Sequence, residues 1–318
     1  MQMEYRRLGQ SGLVVSVLGY GANNLGRAGT VSEDEKGATA VVNAALDAGI
    51  TYFDSANVYG KRAGLSEELL GRALGERRDD VVIATKFGMP LDGDGHSARG
   101  SRRYMLARLE ESLRRLNTDY IDLYYYHSPD PHTPLEETVD ALENAVDQGK
   151  IRYYAVSNMA GWQTAATAEL ASRGKLVATQ NHYNLIDRRA EQEIVPASRH
   201  YGLGLVPYFP LAAGLLTGKY TDAVPEGARL KPGNPKLDAA DMAQLRQYRD
   251  FCAERGIEQA TLAIAWLAHQ EPVASIIAGA TKPEQIVSNA KAVDIRLDDA
   301  DLAALDEMFP PAEKVAPF

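Results

Sequence analysis

The chain of 318 residues is 45% hydrophobic and carries a formal net charge of −9. Such a length can bury one large core, so a single domain over residues 1–318 is expected, and the acidic balance argues against nucleic acid or an anionic membrane surface as the main partner. The single cysteine, Cys252, excludes an internal disulfide and a thiolate metal cluster, which fits a reducing compartment. Residues 1–8 lack the apolar stretch of a signal peptide, so a cytoplasmic location is expected.

Short apolar segments bounded by turn residues recur along the chain, which is the pattern of buried strands. At the start, Tyr5–Leu13 contains Gly9-Gln10-Ser11-Gly12 and leads into Val14–Leu18, which predicts a β-hairpin. The strands predicted for a main sheet number eight: Val17–Leu18, Tyr52–Phe53, Val81–Ala84, Ile121–Tyr126, Ile151–Val156, Leu176–Thr179, Leu203–Pro207 and Val273–Ala278.

Segments with helical spacing of apolar residues separate these strands. They are Glu33–Ala48, Ser66–Leu74, Arg102–Leu116, Pro134–Gln148, Trp162–Ser172, Ala190–Tyr201, Gln259–Ala268 and Pro283–Val293. Ser32 is expected to cap the first of them. The connection from Tyr208 to Val273 is much longer than the others and contains a further predicted helix, Ala239–Arg255, and a last helix is expected after Asp298. Long connections of this kind shape the mouth of an active site.

Strands and helices that alternate in this way predict a parallel sheet covered by helices, and eight strands are the number that closes an (α/β)8 TIM barrel. The hairpin would then cover the bottom of the barrel. A doubly wound open sheet is the alternative. It is disfavoured because Gly19, Gly21 and Gly26 do not have the spacing of the G-x-G-x-x-G dinucleotide fingerprint.

Polar side chains able to do chemistry end nearly every predicted strand. Because a parallel barrel gathers the carboxyl ends of its strands at one mouth, these residues are expected to meet there. They are Asp54, Lys86, His127, Ser157 with Asn158, Gln180 with Asn181, and Tyr208. Each residue alone also fits an ordinary structural role at a strand end or in a loop, so the prediction depends on their joint occurrence.

Four of the residues expected near this mouth, Asp54, Tyr59, Lys86 and His127, could together protonate a carbonyl oxygen. A tyrosine has a pKa of about 10, and a nearby lysine favours its phenolate form. Asp54 would keep Lys86 charged and in place, and a neutral His127 would orient the substrate oxygen. One histidine and one aspartate make a poor metal site, so no metal is expected.

The residues around these four positions resemble motifs of the aldo-keto reductases. The resemblance extends in family order from Arg6 to about Met308. Within the family, the chain is similar to the branch that holds bacterial reductases and potassium-channel β subunits. The matching segments are Asp54-Ser-Ala-Asn-Val-Tyr59-Gly60, Ala84-Thr-Lys86, Leu123-Tyr-Tyr-Tyr-His127-Ser, Val156-Ser157-Asn158, Thr179-Gln180-Asn181, Pro207-Tyr208 through Tyr220, and Ile277 through Asn289.

The resemblance implies a barrel that binds NADP(H) and catalyses hydride transfer to a carbonyl carbon, with Tyr59 supplying the proton. It also implies that Ser157, Asn158 and Gln180 hold the carboxamide and that Tyr208 stacks on the nicotinamide. The full set of cofactor residues that it implies is Gly21, Ser157, Asn158, Gln180, Tyr208, Pro210, Leu211, Gly214, Leu215, Lys219, Arg229, Gly279, Thr281, Lys282, Gln285 and Asn289.

Several positions depart from the pattern common in the family. Gly279 and Ala280 stand where many members have Lys and Ser for the 2′-phosphate, so that phosphate would depend on Lys219, Arg229 or Lys282. NADH use therefore stays open. Phe209 stands where Ser is frequent, without a consequence that the sequence reveals.

The expected activity is reduction of an aldehyde or ketone, with a small-molecule carbonyl compound as the partner and an oligomer possible. The main alternative is a regulatory or redox-sensing protein that binds NADP(H) and turns over poorly. A Schiff-base lyase that uses Lys86 as its nucleophile is a third reading, which leaves Tyr208 and the segment from Gly279 to Asn289 without a role.

Overall fold

A two-stranded hairpin precedes the main sheet in the computed structural model, which describes residues 2–91, 93, 95–171, 176–220, 224 and 230–311. Strands β1 (Tyr5–Arg7) and β2 (Val14–Ser16) pair antiparallel, as the sequence predicts. The described residues then form eight parallel strands: β3 (Leu18–Gly21), β4 (Tyr52–Asp54), β5 (Val82–Phe87), β6 (Ile121–Tyr126), β7 (Ile151–Ser157), β8 (Leu176–Gln180), β9 (Gly204–Leu205) and β10 (Ile276–Gly279).

These eight strands close into a barrel. Neighbours along the chain are neighbours in the sheet from β3 to β9, and β10 pairs with β3. Between β9 and β10, parallel bridges join Leu205 to Val273 and Tyr208 to Ile277, and the Ile277 amide donates to the Pro207 carbonyl at 2.9 Å. The (α/β)8 TIM barrel predicted from the sequence is therefore confirmed, and the open sheet is excluded.

Helices cover the outside of the barrel. In the described residues these helices are α1 (Glu35–Asp47), α2 (Leu65–Leu74), α3 (Arg102–Leu116), α4 (Leu135–Asp147), α5 (Gly161–Leu170), α6 (Ile194–Tyr201), α7 (Pro235–Asp238), α8 (Met242–Glu254), α9 (Gln259–His269), α10 (Pro283–Ala290) and α11 (Asp299–Met308). The helices predicted in the long connection and after Asp298 correspond to α8 and α11. None of the described helices is both long enough and apolar enough to cross a membrane.

The cap of α1 differs from the prediction. Asp34, not Ser32, precedes the helix, and its side chain accepts a hydrogen bond from the Gly37 amide at 2.8 Å. Ser32 lies two residues earlier, in the short 3-10 helix Val31–Glu33, where its hydroxyl donates to the Asn24 carbonyl. Both residue types can cap a helix, and the extra 3-10 turn decides which one occupies the position.

Alternation of side chains along the strands separates two cores. On β4, Phe53 packs in the core between sheet and helices, whereas Tyr52 packs inside the barrel with Ala84 of β5 and Leu123 of β6. Successive side chains of a strand point to opposite faces. The residues two positions after Tyr52 and Ala84 are Asp54 and Lys86, so the same alternation directs both toward the barrel axis at its carboxyl end.

The hairpin closes the opposite end of the barrel. Leu8 and Val15 are fully buried in the inner core, beside Val177 of β8. Between the two hairpin strands, Gly9 has a φ of 61°, and a Cβ there would lie 2.5 Å from the carbonyl oxygen of Gly202. The turn therefore requires glycine both for its left-handed backbone and for its close approach to the loop before β9.

We expect Gly9→Ala to destabilise the protein by about 2–4 kcal/mol, because left-handed strain and a backbone clash add together. The matched control is Gly29→Ala: Gly29 has a φ of 75°, but a Cβ at this position would have no other atom within 4 Å, so only the strain of about 1 kcal/mol applies. Urea unfolding measures both free energies. Equal losses in the two variants would contradict a close contact between hairpin and barrel.

Candidate active site

A buried ion pair occupies the carboxyl end of the barrel interior. The Lys86 ammonium donates to Asp54 Oδ2 at 2.5 Å and to the Ser55 carbonyl at 2.7 Å. The side chains of Lys86 and Asp54 are 0% and 3% exposed. Asp54 Oδ1 accepts from Gln180 Nε2 at 3.0 Å, so the pair joins β4, β5 and β8 across the barrel.

Tyr59 and His127 lie beside this ion pair. The Lys86 ammonium is 5.4 Å from the centroid of the Tyr59 ring, and the Tyr59 and His127 rings meet edge to face with centroids 6.0 Å apart. His127 follows β6, and its amide donates to the Phe87 carbonyl at the end of β5. The structure thus brings together all four of the residues that the sequence suggests for proton transfer.

The pKa of Tyr59 shifts in the direction opposite to the one expected from Lys86. It is raised above its ordinary value, first because desolvation penalises the phenolate and then because the Asp54 carboxylate repels it. The Lys86 charge, which is paired with Asp54, does not reverse this shift. Tyr59 therefore holds its proton at neutral pH, which is the form that an acid requires.

Burial shifts the pKa values of Lys86 and His127 as well. Burial lowers the pKa of Lys86, and the Asp54 carboxylate opposes that shift. Burial and the neighbouring Lys86 charge lower the pKa of His127 well below its ordinary value, so the imidazole is neutral at pH 7. His127 Nδ1 is buried and has no hydrogen-bond partner among the described residues. A neutral ring can donate from one nitrogen only.

An amide network extends from His127 across β7 and β8. Asn158 Nδ2 donates to the His127 carbonyl at 2.8 Å, and Asn158 Oδ1 accepts from the Tyr208 hydroxyl at 2.7 Å. The Ser157 hydroxyl donates to the Gln180 carbonyl at 2.9 Å. Asn158 has a φ of 57°, which asparagine tolerates better than most residues. Ser157, Asn158, Gln180 and Tyr208 therefore form one cluster of amides and hydroxyls next to the proton-transfer residues.

A compact turn follows Tyr208 and contains five more of the expected cofactor residues. Within it, Gly214 has a φ of 101°, and a Cβ there would lie 2.9 Å from the Lys219 ammonium. The missing side chain thus allows the exposed Lys219 cation to pack against the turn, and a cation held in this way suits a phosphate group. The five residues in this turn are Pro210, Leu211, Gly214, Leu215 and Lys219.

The remaining cofactor positions lie around the start of α10. Gly279 of β10 is in register with Gly21 of β3, and Lys282 directly precedes α10. Gln285 Oε1 accepts from the Thr281 amide at 2.8 Å, whereas Asn289 is 6% exposed in the second half of the helix. Arg229 lies outside the described residues.

Two polar residues near the site were not identified from the sequence. His182 stacks on Tyr208, and the signal for it is the period of two that continues beyond β8 from Ala178, in the inner core, and Gln180, which donates to Asp54. Asn57 lies between Asp54 and Tyr59 and is fully buried, with no partner for its side-chain amide among the described residues. No group of three or more potential metal ligands is found in the described part of the chain.

Known proteins resemble this chain over nearly its whole length. The sequence profile of the Aldo/keto reductase family matches residues 17–309. The chain is 40% identical to an uncharacterized oxidoreductase YrpG of Bacillus subtilis, over 97% of this chain and 96% of the relative. It is 36% identical to an L-glyceraldehyde 3-phosphate reductase of Escherichia coli, over 96% and 92%. It is 40% identical to a probable voltage-gated potassium channel subunit beta of Oryza sativa, over 92% of each chain.

The lowered pKa of His127 predicts a specific dependence of stability on pH. Above pH ~6.5 the residue contributes no pH dependence, since it is neutral in both the folded and the unfolded chain. Below that pH the unfolded chain takes up a proton that the folded chain excludes, which costs up to about 1.4 kcal/mol per pH unit. The loss of unfolding free energy between pH 7 and pH 5 should therefore be smaller in His127→Gln, by up to about 2 kcal/mol.

Urea unfolding at the two pH values measures this difference. The matched control is His200→Gln at an exposed position of α6, which should lose as much stability as the unmodified chain. An undiminished loss in His127→Gln would show that the buried imidazole accepts a proton in the folded protein.

Proposed function

Because the chain belongs to the aldo/keto reductase family, we propose that it is an NADP(H)-dependent oxidoreductase that reduces an aldehyde or ketone to an alcohol. The observation that carries the proposal is the buried Lys86–Asp54 pair with Tyr59 and His127 beside it. In this reaction the bound dinucleotide supplies the hydride that the carbonyl carbon accepts. The residues of the chain then have to orient the carbonyl oxygen and provide its proton.

Tyr59 is the proton donor in this proposal. Its raised pKa keeps the phenol protonated until negative charge develops on the substrate oxygen. Neutral His127 donates a hydrogen bond to the same oxygen, and its lowered pKa prevents it from competing as the acid. Lys86, held by Asp54 and the Ser55 carbonyl, lies close enough to Tyr59 to stabilise the phenolate that the transfer leaves behind.

The other residues at the mouth suit a dinucleotide. The cluster of Ser157, Asn158 and Gln180 offers donors and acceptors for a carboxamide, and Tyr208 offers a ring for the nicotinamide. Gly214 and Lys219 suit a pyrophosphate, because a cation lies beside a residue without a side chain. At the adenosine end we assign Gly279, Thr281, Lys282, Gln285 and Asn289, with Gly21, Pro210, Leu211 and Leu215 contributing backbone and packing. The role of Arg229 follows from the family resemblance alone.

A redox-sensing or regulatory role is the second candidate, favoured by the 40% identity to the rice channel subunit. Both functions require the cofactor site, so turnover separates them. Use of Lys86 as a Schiff-base nucleophile is disfavoured, because its ammonium is fully buried and donates to both Asp54 and Ser55.

The proposed activity is tested by following NADPH oxidation with a panel of aldehydes, ketones and sugars, including L-glyceraldehyde 3-phosphate, and with NADH in parallel. Turnover of carbonyl substrates supports the reductase. Tight NADPH binding without turnover of any of them would support the regulatory protein instead.

In the same assay, Tyr59→Phe should lower kcat by about 10²–10⁴-fold, because the acid acts on the transition state. NADPH affinity, measured by fluorescence titration, should stay nearly unchanged. The control is Tyr120→Phe. Tyr120 lies just before β6 and its hydroxyl donates to Asp79, so removing this hydroxyl should leave kcat unchanged. An unaltered kcat in Tyr59→Phe would assign the proton to another group.

Preference for NADPH is expected to depend on Lys282. Loss of a charge-assisted contact to the 2′-phosphate should weaken NADPH binding in Lys282→Ala by about 10- to 100-fold. NADH binding should change little, and Lys291→Ala, at an exposed lysine after α10, is the matched control. If Lys282→Ala weakened both dinucleotides equally, its assignment to the 2′-phosphate would be wrong.

A further inference from the structure

The Tyr208 ring packs against two aromatic residues, His182 and Phe209, to which the proposed function gives no role. The His182 ring stacks on Tyr208 with centroids 5.5 Å apart and an interplanar angle of 8°. A parallel bridge also joins the backbones of these two residues. At this distance and angle the rings form an offset stack, which is a favoured arrangement for π-systems.

Hydrogen bonds fix the orientation of the His182 imidazole. Its Nδ1 lies 3.0 Å from Asp187 Oδ2, and its Nε2 lies 3.1 Å from Asn184 Nδ2. The orientation of the Asn184 amide follows from its other contacts, since Nδ2 donates to the Phe209 carbonyl and Oδ1 accepts from the amides of Ile186 and Asp187. His182 Nε2 must then be an acceptor, so Nδ1 carries the proton that it donates to Asp187.

Phe209 supports the stack from the edge. Its ring meets His182 edge to face at 5.6 Å and Tyr208 at 5.2 Å, with interplanar angles of 85° and 78°. The Lys236 ammonium of α7 lies 5.0 Å from the centroid of the Phe209 ring. Phe209 has a φ of 55°, which is unfavourable for a bulky residue, so its packing must compensate for backbone strain.

We propose that His182 and Phe209 are positioning residues that hold the Tyr208 ring ready to receive the nicotinamide. The inference rests on the proposed function, because it assigns a partner to Tyr208. The hydroxyl of Tyr208 is fixed by Asn158 at 2.7 Å, and its ring is fixed by His182 and Phe209. A side chain that is ordered beforehand loses less conformational freedom when its ligand binds, and affinity rises accordingly.

The test compares two ligands by fluorescence titration and calorimetry. One is NADPH, and the other is adenosine 2′,5′-bisphosphate, which shares the adenosine end but lacks the nicotinamide. In His182→Ala the affinity for NADPH should fall by about threefold to tenfold, whereas the affinity for the bisphosphate should not change. His182→Phe keeps a ring in the stack and should recover most of the lost affinity. The matched control is His200→Ala, at an exposed position of α6.

A second variant keeps the inference testable if His182→Ala fails to fold. Phe209→Ser removes the edge-to-face contacts and tolerates the left-handed backbone at least as well as Phe. It should weaken NADPH binding without affecting the bisphosphate. In the double variant the two losses should be less than additive, because both residues act through Tyr208.

The outcomes distinguish this inference from the proposed function. If the unmodified chain does not bind NADPH, both are overturned. If it binds and oxidises NADPH but the affinity is unchanged in His182→Ala and Phe209→Ser, the inference alone fails. Equal losses for NADPH and the bisphosphate would likewise overturn it, because they would show general destabilisation of the cofactor site.

Discussion

The ion pair between Lys86 and Asp54 is the constraint on which the rest of the site depends. Removing two charges from water costs several kcal/mol per ion, and breaking such a pair by deleting one partner costs about 3–5 kcal/mol. The barrel compensates with a carbonyl from Ser55 on the lysine and an amide from Gln180 on the carboxylate. Because these groups come from the ends of β4, β5 and β8, the sheet must curl far enough to bring these three strands together before the pair is satisfied. The pair is thus a poor source of stability and a precise means of placing a cation.

The buried Lys86–Asp54 pair also affects the protonation of its neighbours, Tyr59 and His127. At Tyr59 desolvation dominates and the Asp54 carboxylate adds to it, so the pKa is raised and the phenol keeps its proton. At His127 burial lowers the pKa and the neighbouring Lys86 charge lowers it further, so the imidazole is kept neutral. The result is a site with one protonated acid, one neutral donor and one cation, which suits protonation of an oxygen better than attack by a nucleophile.

Much of this arrangement could be predicted from the sequence, because it follows from local rules. Apolar segments separated by helical spacing predict the barrel, and strand alternation places Asp54 and Lys86 inside it. The direction of the Tyr59 pKa shift could not be predicted, since it is the balance of burial against a pair whose geometry only the structure shows. The cap at Asp34 and the stack of His182 on Tyr208 were also missed. The first depends on one extra 3-10 turn, and the second on residues far apart in the chain.

The two ends of the candidate site are built differently. Asp54, Lys86 and His127 are at or just beyond strand ends whose backbone is fixed by the barrel, whereas the expected phosphate ligands are in the turn after Tyr208 and at the start of α10. Sites on regular elements are positioned more accurately than sites on loops. Tyr208 connects the two ends, since its hydroxyl donates to Asn158, which donates to the His127 carbonyl, and the turn with the expected phosphate ligands follows it directly in the chain. A change in the loop after β9 can therefore reach the proton-transfer residues through a single side chain.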